Sequence, residues 1–166
     1  SKASDKDKAS GGGGGGEETT KVDPELGEDQ MWNDGPCDKS EDEVALGLIA
    51  PFNAGAISLK DQADAAEVAA AAFNERGGVN GHCIRVITCD EGGDPNKSAE
   101  CARTLVKEGV VATINDSVIS AADVVNGIFK EAGIPRLDGN PAPAVFNDPN
   151  IYTIGMGGLG NVVMTV

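Results

Sequence analysis

From Glu43 onward, short apolar runs alternate with longer segments whose apolar positions fall at helical spacing. The runs are Val44–Ala50, Ile84–Cys89, Val110–Ile114, Ile134–Leu137 and Ile151–Ile154. Between them, three helical patterns close at Gly77, Gly109 and Gly133. Strands that alternate with helices predict an α/β fold, a parallel sheet with helices on both faces. Ligands of such sheets bind at the carboxyl ends of the strands, where loops lead into helix N-termini. The pattern therefore predicts a fold and also an end of the sheet at which to look for function.

Local signals set the helix starts. Ser58 with Asp61 reads as an S-x-x-D capping box, followed by Ala63, Ala66, Ala70 and Phe73 near one face. Asp94-Pro95 reads as an N-cap followed by proline at the first helical position. Ser120 with Asp123 reads as a second S-x-x-D box, ahead of Val124, Val125, Ile128 and Phe129.

Composition divides the chain unevenly. Residues 1–42 read as an acidic, glycine-rich tether, with six consecutive glycines at Gly11–Gly16 and nothing apolar larger than alanine before Val22. Such a segment buries too little surface to offset its ordering entropy. The folded part is expected over 43–166. Net charge is −14 and no basic cluster occurs, which argues against nucleic acid or an anionic membrane surface as a partner. No apolar run is long enough to span a membrane. The chain starts at serine, so removal of an upstream segment is expected. A polar tether at a processed N-terminus suits a surface-anchored protein, with a lipidated cysteine before Ser1 as the fitting anchor.

The four cysteines allow three pairings. Cys89 ends a strand and Cys101 lies in the next helix, which packs back on that strand, so this pair is geometrically easy. Cys37 with Cys83 would then tie the end of the tether to the sheet. Buried free thiols are the alternative. Zinc is disfavoured, because no C-x-x-C occurs and His82 is not placed as a ligand. Disulfides would imply an oxidising, extracytoplasmic setting.

The strand-to-helix loops carry small and hydrogen-bonding residues, among them Asn53, Ser58, Ser117, Ser120 and Asn140. A helix N-terminus offers unpaired amides and partial positive charge, suited to a carboxylate or phosphate. The loop before the third helix thus reads as a small-anion site, with Ser120 and the amide of Ala121 or Ala122 as donors. The plainer reading is that Ser58 and Ser120 only cap their helices. A Ser/His/Asp relay would need His82, which lies at the opposite end of the sheet from these loops. Asp90, Glu91 and Asp94 cluster after the second strand, and a solvated, helix-capping role suits them better than calcium. Gly155, Gly157 and Gly160 match the dinucleotide pattern G-x-G-x-x-G and raise an NAD-dependent enzyme as an alternative. That fingerprint belongs on the first strand, and here it follows the fifth.

Three segments then carry a family resemblance: ALGLIAPFNAGA, AAFNERGGVNGHCIRVITCDEGGDPNKSAECARTLVKEGVVATI and SAADVVNGIFKEAGIPRLDG. The stretch from Val44 to about Val163 resembles the N-terminal lobe of type I solute-binding proteins of ABC transporters, in the branched-chain amino-acid-binding group. The resemblance implies a Rossmann-like lobe of a two-lobed, non-enzymatic receptor that needs no cofactor. Such a receptor closes on an amino acid or similar small polar solute and delivers it to a membrane permease. It implies a serine or threonine at the third helix start as the carboxylate donor, here Ser120 with Ser117 nearby. Further contacts would come from Asn53–Ser58 and Asp138–Asn140. Members are more than twice this length, so one lobe of a clamp is expected. A ligand-sensing receptor domain of the same fold is the remaining alternative.

Overall fold

The structure, a computed structural model, describes residues 35–39, 42–139 and 148–154. The chain divides into two units, 1–31 and 32–166, and every described residue lies in the second. Most of the expected tether, Asn140 and the Gly155–Gly160 pattern lie outside the described residues.

Five strands and three helices alternate among the described residues. They are β1 (Val44–Ala50), α1 (Lys60–Asn74), β2 (Ile84–Asp90), α2 (Pro95–Lys107), β3 (Ala112–Asp116), α3 (Ala122–Glu131), β4 (Arg136–Asp138) and β5 (Ile151–Thr153). All neighbouring strands run parallel, in the order β2-β1-β3-β4-β5. Successive side chains of β1 point to opposite faces. Leu48 and Ala50 pack with Ala63 of α1 on one face. Ala45 and Ile49 pack on the other with Leu105 of α2 and with Val125 and Phe129 of α3. Gly47 lets α2 approach closely, since a Cβ there would meet Leu105 Cδ1 at 2.8 Å.

β3 and β4 each run further toward the carboxyl end than their apolar runs predict. Val110 and Val111 precede β3, which instead extends through Asp116, and β4 extends through Asp138. Charged strand ends look like loop in a hydropathy pattern. Here they are buried and satisfied by a third charge between them. Arg136 Nε donates to Asp116 Oδ2 at 3.1 Å, and Nη2 donates to Asp138 Oδ2 at 3.1 Å. The guanidinium carbon also lies 5.9 Å from the Phe129 ring centroid, under α3.

The opposite end of the sheet is closed by the turn between α1 and β2. Asn74 uses its side-chain amide as a stand-in strand, accepting from Ile84 N at 2.7 Å and donating to Ile84 O at 2.8 Å. Gly78 sits at φ 63°, and a Cβ there would fall 2.0 Å from His82 O. His82 is a turn residue at this end, its Nδ1 2.9 Å from Asp42 O.

Two disulfides join Cys89 to Cys101 and Cys37 to Cys83, across 12 and 46 residues. The first ties β2 to α2. The second, with Cys37 N donating to Asn74 O at 2.7 Å, ties residues 35–39 to the sheet's amino end. Loop-closure entropy makes the shorter link worth about 3 kcal/mol. Replacing Cys89 and Cys101 by alanine is expected to lower unfolding free energy by about that amount in urea titration. An unchanged midpoint would contradict this role.

Candidate functional site

The strand order reverses direction between β1 and β3, since β1 leads through α1 to one side and β3 leads through α3 to the other. That switch point opens a crevice at the carboxyl ends of the two strands. Its walls are the loop 51–59 after β1 and the loop 117–121 after β3.

The 117–121 loop is anchored from below by β1. Ser117 N donates to Ile49 O at 2.9 Å, and Ile49 N donates to Asp116 Oδ1 at 2.9 Å. Asn115 takes a left-handed φ of 50°, and the register with β4 shifts between Thr113 and Asp116. This irregularity turns Asp116 inward and starts the loop. On the other wall, Phe52 N donates to Asp90 Oδ1 at 2.7 Å, as does Gly92 N at 2.9 Å. These amides, Phe52 first, hold the Asp90 carboxyl below its ordinary range.

The residues expected at the site separate by environment. Ser117 is buried, at 3% exposure, whereas Ser120 and Ala121 are partly open at the entrance of α3. Asn53 and Ser58 are exposed on the first loop. Neither serine box forms. Ser58 Oγ donates to Phe52 O at 2.7 Å, closing its own loop, and Leu59 takes the cap position of α1 without a side-chain bond. At α3 the cap position falls on Ala121, in left-handed geometry (φ 51°, ψ 39°), again without a side-chain bond. Only the Asp94-Pro95 signal caps as expected, its carboxylate accepting from Asn96 N and Lys97 N. The hydroxyl of Ser120 is therefore not spent on capping α3.

The three acids at and just after the end of β2 also part company. Asp90 holds loop amides and Asp94 caps α2, but Glu91 is fully buried. A charged residue beside two glycines in D-E-G-G-D gives no local signal of burial. Above Glu91, the loops converge on an apolar spot. A Cβ built on Gly93 would lie 3.3 Å from Ala54 Cβ and 3.7 Å from Ile119 Cδ1. Ile119 and Ile57 are nearly half exposed there, at 46% and 44%. The crevice wall thus offers a helix N-terminus and hydroxyl beside an aliphatic surface. That combination suits a small anion-bearing molecule with an apolar part.

The sheet and its three helices match one lobe of the type I periplasmic binding protein fold. Residues 43–159 match the family described as "Periplasmic binding protein", and the chain belongs to that family. The family is one of binding proteins, not enzymes, and periplasmic by name. Among curated relatives, the Leu/Ile/Val-binding protein homolog 3 of Brucella melitensis is 25% identical over 93 residues, covering 55% of this chain and 25% of the relative. The Leu/Ile/Val-binding protein BraC3 of Rhizobium johnstonii matches to the same extent. The chain thus spans about a quarter of the length of these relatives. The fold matches the branched-chain amino acid transporter substrate binding protein LivJ of Streptococcus pneumoniae, solved with isoleucine. The TM-score is 0.57 at 17% identity, over 67% of this chain and 33% of that one. A type 1 periplasmic binding protein of Bordetella pertussis matches with TM-score 0.57 at 17% identity, over 70% and 34%.

The carboxyl below the second wall titrates unusually. Burial pushes Asp116 from its ordinary 3.8 up to about 6, against the pull of Arg136 and the bond from Ile49 N. Asp138, facing it across Arg136, adds to the rise. Thr113 also faces Asp116 and opposes the rise. Because the folded state holds this proton more tightly, it binds more protons than the unfolded chain between pH 3.8 and about 6. Asp116 therefore favours the fold most below that window and loses this contribution as pH rises through about 6. Wild type should gain on Asp116→Asn, which does not titrate, by up to about 3 kcal/mol from pH 7 to pH 4. Denaturant unfolding of both at several pH values reads this. A difference independent of pH would contradict it.

Proposed function

We propose that the complete protein carrying this lobe is an extracytoplasmic solute receptor of an ABC transporter, binding a branched-chain or similar small amino acid. The observation that carries the reading is the entrance of α3. Its first turn has no side-chain cap, it faces the switch-point crevice, and Ser120 and exposed Ile119 sit beside it. A ligand carboxylate suits the helix amides and the Ser120 hydroxyl. An aliphatic side chain suits the surface of Ile119, Ala54 and Ile57. Burial of Ser117 favours Ser120 as the side-chain donor. Asn53 and Asn140 are proposed as further contacts from neighbouring loops.

Several lines support the class of solute: the family, the Leu/Ile/Val-binding names of the curated relatives and the isoleucine-bound structural neighbour. Two disulfides in one lobe support an oxidising location outside the cytoplasm. Delivery to a membrane permease and a lipid-anchored tether complete the proposal. Because one lobe supplies only part of the contacts, residues 1–166 alone are expected to bind weakly or not at all.

Calorimetric titration of the complete protein with isoleucine, leucine, valine and a panel of other amino acids tests this reading. Saturable binding of an aliphatic amino acid is expected, and binding of none would overturn the solute class. Ser120→Ala should weaken that binding about tenfold, the worth of one hydrogen bond to a charged group. Unchanged affinity would remove Ser120 from the site.

A further inference from the structure

We infer that Glu91, from the loop after β2, is the positioning residue of the ligand loop 117–121. The inference rests on the proposed site and adds to it a residue that touches no ligand. Glu91 and Ser98 are both fully buried. One carboxyl oxygen of Glu91, Oε2, accepts from Ser98 Oγ of α2 at 2.5 Å. The other, Oε1, accepts from Ile119 N at 3.0 Å. Its own backbone N donates to Ala50 O at the end of β1, at 3.2 Å, and its carbonyl accepts from Asp94 N at 2.9 Å. The side chain thus joins the first turns of α2 to the loop entering α3, while the backbone of the same residue holds on to the end of β1.

The point of attachment matters. Val118 is buried at 3% exposure and Ile119 is open at 46%, so the bond to Ile119 N lies where the loop leaves the core for the crevice. Ser120 follows directly, and then Ala121 in its left-handed turn. Losing the acceptor would leave a partly buried amide unpaired and free the segment that carries Ser120. A glutamine can keep both contacts. Its amide oxygen accepts from Ile119 N, and its amide nitrogen donates to Ser98 Oγ. The single Ser98 proton then turns to Asp94 O, already 2.9 Å away.

The test uses the complete protein with three variants: Glu91→Ala, Glu91→Gln and Ser98→Ala. Hydrogen exchange of residues 117–121 is read without ligand, and isoleucine affinity by calorimetry. Glu91→Ala should speed exchange at Ile119–Ala121 and weaken isoleucine binding, each about tenfold, while Glu91→Gln stays within about threefold of wild type. Ser98→Ala, which frees one end of the carboxyl and serves if Glu91→Ala does not fold, should fall between them. Unchanged exchange in Glu91→Ala and Ser98→Ala would overturn the inference. So would Glu91→Gln behaving like Glu91→Ala. If the wild type binds no amino acid, the proposed function fails, and the exchange comparison alone decides the positioning role.

Discussion

One buried guanidinium holds the carboxyl end of this sheet together. Arg136 of β4 stands between Asp116, which ends β3, and Asp138, which ends β4, with essentially no exposure for any of the three. Removing charges from water costs several kcal/mol each, and their mutual attraction recovers this only with good geometry. The gain is specificity. A hydrophobic trio would fill the space, but it would not give Ile49 N its acceptor at Asp116 Oδ1. That bond aligns the end of β1 with the end of β3, and the two walls of the crevice rise from those ends. Loss of water around the carboxylate outweighs the adjacent cation and raises Asp116, and the second carboxylate of the cluster, Asp138, adds a smaller push in the same direction.

The layer above the cluster is built from polar groups that turn loops into fixed surfaces. Asp90 gathers the amides of Phe52 and Gly92, Asp94 caps α2, and Glu91 reaches across to Ile119. Three acids close together in sequence thus perform three different tasks. The loops need such internal partners because their backbone groups leave the sheet ladder and would otherwise be unpaired. Neither α1 nor α3 has a side-chain cap, and α3 is the one whose entrance carries a partly open hydroxyl not spent within its own loop, Ser120.

Much of this was legible from the residues. Apolar runs and terminal glycines placed β1, β2 and all three helices, because those elements bury apolar faces and obey local periodicity. The pairing of Cys89 with Cys101 followed from strand–helix adjacency. Polar burial was not legible. Asp116 and Asp138 read as loop, since their partner Arg136 is 20 residues from the first, and no local pattern couples them. Glu91 read as solvated for the same reason, its partner Ile119 lying 28 residues on. The serine boxes misled in a different way. An S-x-x-D match needs the serine at the cap position, but Ser58 bonds Phe52 O and Ala121 takes the turn into α3. Asp94 succeeded because proline at the next position restricts the backbone to a cap geometry as well.

The central claim is that the loops at the switch point form one wall of an amino-acid site, held in place by buried polar contacts below. The most direct measurement is the map of backbone amide chemical-shift changes in the complete protein on adding isoleucine. Within this lobe, the account predicts the largest changes at residues 51–59 and 117–124, with little change at the amino ends of the strands around Cys83. Changes concentrated at those amino ends or along the outer face of α1, with none at 117–124, would contradict it.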